Sequence, residues 1–154
     1  MPRDRDVAAF AKRAGGYEEG WLGRLHHEIA DRSADLALAP VPAPRRVARF
    51  QAGAAEHLPE PDGAFDLVVS TTSFDHWADQ QSGLRECARV MAPGGRLVLV
   101  GQFSPLYLPT LIGSRRGKAR TRRRATRLLI RAGFRSPEWH ALYAVIIGAV
   151  TASR

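Results

Sequence analysis

The sequence predicts an α/β fold built on a parallel sheet, and three observations carry that prediction. Phe65–Ser70 (FDLVVS) is a short apolar run of β-formers entered through the turn pair Asp62-Gly63, and it reads as a strand buried on both faces. Gln80–Met91 places Leu84, Cys87, Ala88 and Met91 at helical spacing. Arg96–Val100 (RLVLV) is a second buried strand. Strand, helix and strand joined by tight connections make a right-handed βαβ unit with its two strands parallel. Pro93-Gly94-Gly95 is expected to stop the helix, with glycine serving as a left-handed cap.

The remaining elements follow in order. Asp4–Ala14 predicts a short helix, opened by aspartate and ended by Gly15-Gly16. Tyr17–Ala39 predicts a longer one, with Trp21, Leu22, Leu25, Ile29, Ser33 and Leu36 on one stripe. Pro40–Pro44 (PVPAP) is a stiff extended connector, and Val47–Ala52 a weak strand interrupted by arginines. Beyond the βαβ unit, Ser104–Gly117 reads as a loop or broken helix. Ala119–Ala132 is a basic helix with Ala125, Leu128 and Leu129 inward and Gly133 as its cap. Trp139–Leu142 and Ala144–Thr151 are the last two strands, the final one suited to a central position.

Composition bounds the function classes. The 154 residues suit a single domain with its own core, with residues 1–44 as N-terminal helices and connector and 45–154 as the sheet. One cysteine, Cys87, excludes an internal disulfide and a cysteine-based metal site. The paired His26-His27 lacks a third ligand in spacing, and His57 and His140 have no visible partner, so no metal is expected. No segment reaches the roughly 18 uncharged apolar residues of a membrane span, and the N-terminus has no apolar signal core. A cytoplasmic protein with no membrane partner is expected. The net charge of +8 is unevenly placed: residues 87–154 hold 13 Lys/Arg against one acid, while residues 1–86 hold 10 against 14. Such asymmetry suits an anion, a nucleic acid or an acidic surface.

Three short motifs then carry a family resemblance. Glu56-His57-Leu58-Pro59, Asp62-Gly63-Ala64-Phe65-Asp66 and Arg89-Val90-Met91-Ala92-Pro93-Gly94-Gly95, in this order and spacing, resemble the second half of the class I S-adenosylmethionine-dependent methyltransferases. The branch that methylates quinones and other metabolites is the most similar. The resemblance implies a Rossmann-like methyltransferase sheet, mostly parallel, with helices on both faces and an antiparallel C-terminal hairpin. It implies S-adenosylmethionine as cofactor and a small-molecule methyl acceptor. The family opens its sheet with an acidic, glycine-rich loop for the methionyl group and a second acid for the ribose. This sequence shows neither: Arg45–Phe50 reads as the start of the first strand joined directly to the end of the third. Two βα units of about 30 residues each are then missing, leaving a truncated sheet.

The resemblance also distributes roles. The turn Gly53-Ala54-Ala55-Glu56 would meet the adenine, although Ala54 stands where many relatives carry an acid, and Glu56 also reads as a turn-capping carboxylate. Ser70 and Thr71 would face the methionyl group and sulfonium, or else simply close a strand end. Methyl transfer from a sulfonium is an in-line displacement, for which positioning matters more than strong acid or base. Asp75-His76-Trp77 lies just past a strand's C-terminal edge, where α/β sheets bind ligands. Imidazole titrates nearest neutrality among side chains, so His76, with Asp75, could take a proton from a hydroxyl acceptor. Trp77 could stack on a ring; equally, Trp77 packs on the next helix and His76 caps it. Trp21, His26 and Phe103 complete the expected substrate pocket. The run from Arg115 to Arg131 reads as a solvated helix face or an anion-binding surface.

In the family, the first strand covers one edge of the fourth. Here only Val47–Ala52 could cover Phe65–Ser70, and an open apolar edge invites a second chain. A homodimer is therefore expected, by pairing through that edge or by exchange of the N-terminal helices across the Pro40–Pro44 connector. Three functions stay open: a methyltransferase of reduced form, with cofactor binding weakened or lost; a catalytically inactive relic acting as a dimerising or regulatory module; and a binder of nucleic acid or an anionic surface through the arginine-rich helix.

Overall fold

The computed structural model describes residues 20–38, 54–103, 121–143 and 146–154, with residues 21 and 22 as backbone. The expected helix Asp4–Ala14, connector Pro40–Pro44, strand Val47–Ala52 and loop Ser104–Gly117 lie outside the described residues. In chain order the elements are α1 (Gly20–Leu38), β1 (Phe65–Thr71), a 3-10 turn (Phe74–His76), α2 (Gln80–Val90), β2 (Met91–Gln102), α3 (Arg122–Arg131), β3 (Arg135–Tyr143) and β4 (Ile147–Ser153).

The sequence predicts β1 and β2 as parallel neighbours, and they are, from Leu67 beside Arg96 to Thr71 beside Val100. Helix α2 is the crossover that a parallel pair requires. The described sheet has four strands in the order β1-β2-β4-β3. Strands β2 and β4 are antiparallel, as are β3 and β4. The expectation of a mostly parallel sheet is therefore corrected for the described residues, which hold one parallel pair and two antiparallel ones. The reason is connectivity. Only α2 links neighbouring strands as a crossover, whereas β3 and β4 fold back on each other as a hairpin, with β4 inside and β3 at the edge.

Strand β2 divides the core in two because its side chains alternate. Leu97 and Leu99 face Leu84, Cys87 and Ala88 of α2 and Ala125 and Leu129 of α3. Val98 and Val100 face the other way, toward Ile29 and Ala37 of α1. All four β2 residues are fully buried, each contributing on the order of 1.5–3 kcal/mol of transfer free energy. Helices thus cover both faces. Helix α1 is fixed further by Arg32, which donates to the Leu142 carbonyl and to Glu28 and lies 5.7 Å over the Tyr143 ring. Helix α3 ends in a Schellman motif: Phe134 N–H bonds the Leu129 carbonyl at 3.1 Å, Gly133 N–H bonds that of Ile130 at 3.1 Å, and Gly133 has φ +94°.

Two local expectations are corrected. The stop at Pro93-Gly94-Gly95 comes too late, since α2 ends at Val90 and Met91 is already extended. Met91 is fully buried and pairs with Phe65, which draws the chain into the sheet before the proline. Ala92–Gly95 then bulge between the Phe65 and Leu67 pairings, with Gly94 at φ +77°. Strand β1 is not buried on both faces: it is half-buried and Val69 is 45% exposed. Its outer edge has no strand beside it among the described residues.

Candidate active site

The C-terminal end of β1 turns sharply. Thr72 adopts φ +51°, an uncommon conformation for a β-branched residue, and its N–H bonds the Val100 carbonyl at 2.9 Å. The hydroxyls of Ser70 and Ser73 meet at 2.8 Å across the turn. Phe74 then anchors the 3-10 turn in the core, its ring 5.1 Å from Trp77 and 6.1 Å from Phe103. Asp79 caps α2, accepting from Gln81 N–H at 2.9 Å, Ser82 N–H at 3.2 Å and the Ser82 hydroxyl at 2.7 Å. The Ser82 hydroxyl and N–H hold its carboxyl below the usual range. Asp79 thus does the capping that one reading assigns to His76.

The facing wall is the segment 54–62, tied to α2 at both ends. Near the N-terminus, Glu56 Oε1 accepts from Asp79 N–H at 2.8 Å. Toward the C-terminus, Arg89 donates to the carbonyls of Leu58 (3.0 Å) and Glu60 (2.8 Å), to Asp62 (2.8 Å) and to both oxygens of Glu86 (2.9 Å each). Glu86 also accepts from Leu58 N–H at 3.0 Å. These bonds, with Arg89 first and Leu58 second, hold the Glu86 carboxyl down to about 2 and push the Arg89 guanidinium further up. Sequence reasoning assigns Arg89 and Glu86 no site role. Their i, i+3 spacing on a helix face is the local signal that could have found them. Their targets stand 27 to 31 positions away and leave no local trace.

Between these walls lies a cavity of about 640 Å³, within the range of roughly 300–1,000 Å³ for small-molecule sites. It brings together the predicted Ala54, Ala55, Glu56, Ser70, Thr71, His76 and Trp77. Leu58, Val68, Val69, Ser73, Ala78 and Cys87 join the lining without having been predicted there. Burial pushes the Cys87 thiol up to about 12, so it lines the wall as an uncharged group. Asp75 stays outside the lining, its Oδ1 3.7 Å from His76 Nε2. Two expected pocket residues also stand elsewhere. Phe103 is buried in the core between Phe74 and Trp139, and His26 is half-buried on α1. The Trp21 side chain lies outside the described residues. Gly83 of α2 sets the position of Trp77, since a Cβ there would come within 2.5 Å of the indole Cε3. No group of three His, Cys, Asp or Glu among the described residues could hold a metal.

A family model described as a methyltransferase domain matches residues 23–99, half of the chain and the stretch that builds this cavity. The chain belongs to the class I S-adenosylmethionine-dependent methyltransferases. It is 45% identical over 71 residues to a demethylmenaquinone methyltransferase of Deinococcus radiodurans, covering 46% of this chain and 29% of that one. It is 39% identical over 100 residues to the chloroplastic 2-methyl-6-phytyl-1,4-hydroquinone methyltransferase of Spinacia oleracea, covering 60% of this chain and 29% of that one. Among solved structures, human N-acetylserotonin methyltransferase in complex with SAM superposes with a TM-score of 0.55 at 25% identity, covering 68% of this chain and 33% of that one. The chain spans 22% to 29% of the length of the first curated relatives it matches.

S-adenosylmethionine is the cofactor of this family, and the cavity fits its nucleoside part. Ala54, Ala55, Leu58 and Val68 give an apolar wall for a flat base, and Ser70 and Thr71 put hydroxyls and backbone at the strand end. Glu56 is the single carboxylate of the lining, and one of its oxygens is already bonded to Asp79 N–H.

Proposed function

We propose that this chain takes part in methyl transfer from S-adenosylmethionine to a small-molecule acceptor of the hydroquinone type. What supports the reading is the cavity at the C-terminal end of β1, where the strand end, His76, Trp77 and the clamped wall meet. Ala54, Ala55 and Leu58 would hold the base, and Ser70 and Thr71 the amino-acid end. When bound, the cofactor supplies an electrophilic methyl group on a sulfonium. The chain's task is then alignment and exclusion of water, which together are worth several kcal/mol of barrier. Trp77, which meets Ala55 over Gly83, would bound the acceptor's ring. His76 would accept the acceptor's hydroxyl proton at Nδ1, with Asp75 Oδ1 3.7 Å from the other ring nitrogen, Nε2. The acceptor class follows the names of the menaquinone and phytyl-hydroquinone relatives.

The test is label transfer from methyl-labelled S-adenosylmethionine to a panel of hydroquinones. Transfer to one of them, falling about 100-fold or more in His76→Gln, is expected. No transfer to any acceptor, with the cofactor demonstrably bound, would contradict the proposal.

A second reading rests on the outer edge of β1, which has no strand beside it among the described residues. Two copies pairing through that edge would bury it. A dimer that persists when the cofactor cavity is filled by substitution would favour the chain as a dimerising module. Light scattering that gives a strict monomer would remove this reading.

A further inference from the structure

The exposed face of α3 is strongly basic. Arg123, Arg127 and Arg131 are all exposed on that face, and no acid stands between Glu86 and Glu138 in the sequence. Ile130 sits among these arginines and is 53% exposed, a large aliphatic side chain turned to solvent within a cationic patch. The inner side of the same helix is fixed: Ala125 and Leu129 are buried, and Arg122 lies 5.5 Å over the Trp139 ring. Helix α3 packs on α2, where Gln81 Nε2 donates to the Leu128 carbonyl at 3.3 Å. Gln81 stands three positions after Ala78, which lines the cavity.

We propose that this face docks the protein peripherally on an anionic lipid surface. Arginines at headgroup level attract acidic lipids at on the order of 1 kcal/mol each. Ile130 is placed to enter the boundary between headgroups and acyl chains, as the apolar residues of interfacial helices do. A nucleic acid would meet the same charge, yet among the described residues the face offers it an aliphatic group and no aromatic on which bases could stack. For its purpose the inference rests on the acceptor reading above. A hydroquinone with an isoprenoid tail partitions into a membrane, so a protein that methylates it must visit that surface. The mode is peripheral, in keeping with a described chain in which no helix is long and apolar enough to cross a membrane.

Co-sedimentation of the full chain with vesicles tests this without involving the cofactor. The probes are phosphatidylcholine alone, phosphatidylcholine mixed with phosphatidylglycerol, and a duplex RNA as competitor. We expect binding to the mixed vesicles only, fading as salt rises past a Debye length of about 10 Å at 0.1 M. The triple variant Arg123→Glu, Arg127→Glu, Arg131→Glu should lose about 100-fold or more in affinity, and the milder Arg127→Gln about fivefold. The milder variant keeps the test decisive if the triple one does not fold. Equal binding to neutral vesicles, no binding to anionic ones, unchanged affinity in Arg127→Gln, or displacement by duplex RNA at lower concentration than by free vesicles would each overturn the proposal. Calorimetry with S-adenosylhomocysteine on the same samples separates failure of docking from failure of the methyltransferase reading.

Discussion

Arg89 makes contacts that no neighbour could replace. Its five donors fork onto two carbonyls and two carboxylates, and they hold the 54–62 wall against α2. Lysine carries the charge without the fork. Arg89→Lys should therefore weaken binding of S-adenosylhomocysteine about 10- to 100-fold in calorimetry, with the fold retained by circular dichroism. An unchanged affinity would show that the wall holds its place without the clamp. Glu86 gives the same clamp a pH signature. Its carboxyl is depressed from 4.5 to about 2, so its contribution is fully present above pH 4.5 and is lost as pH falls toward 2. Thermal unfolding should show the wild type losing more stability than Glu86→Gln across that window. At Gly83 two effects compete. Alanine favours the helix by about 1 kcal/mol, but its Cβ would lie 2.5 Å from the Trp77 indole, an overpacking worth roughly 1–3 kcal/mol. Gly83→Ala should be neutral to destabilising and should shift the fluorescence of Trp77. These residues also mark where sequence reading stopped. The placement of His76 and Trp77 at the cavity was legible because they follow a strand. The Arg89 clamp was not, because its partners come together only when the chain has folded.

At the scale of elements, the β1-α2-β2 unit was legible because each part announces itself. FDLVVS and RLVLV are continuous apolar runs, and Leu84, Cys87 and Ala88 repeat at helical spacing. The boundary after α2 was not legible, because burial of Met91 and its pairing with Phe65 override a proline two residues on. The exposure of β1 was missed for a related reason, since an apolar run states what a strand can bury and not what lies beside it. Leu99 is the central side chain of the first core, fully buried against α2 and α3. Leu99→Ala should cost about 2–5 kcal/mol in denaturant unfolding. A cost below 1 kcal/mol would mean that the two faces of β2 do not form the core described. At the other end of α2, Asp79→Ala should cost about 1 kcal/mol through the lost cap. It leaves the Asp79 N–H, and so the bond to Glu56, in place.

For the whole molecule, the helices on both faces and the hairpin at the C-terminal edge were expected from the resemblance, and both stand. The balance of parallel and antiparallel strands was not foreseen, since it depends on which connections cross over. Two cores lie on opposite sides of β2, and the cavity sits where its neighbour β1 ends. The central claim is that this cavity receives the nucleoside part of S-adenosylmethionine. Isothermal titration of the chain with S-adenosylhomocysteine tests it most directly. Saturable heat in the wild type, abolished in Ala55→Trp at an unchanged melting temperature, is the expected result. Absence of heat in the wild type, or heat that Ala55→Trp leaves untouched, would contradict it.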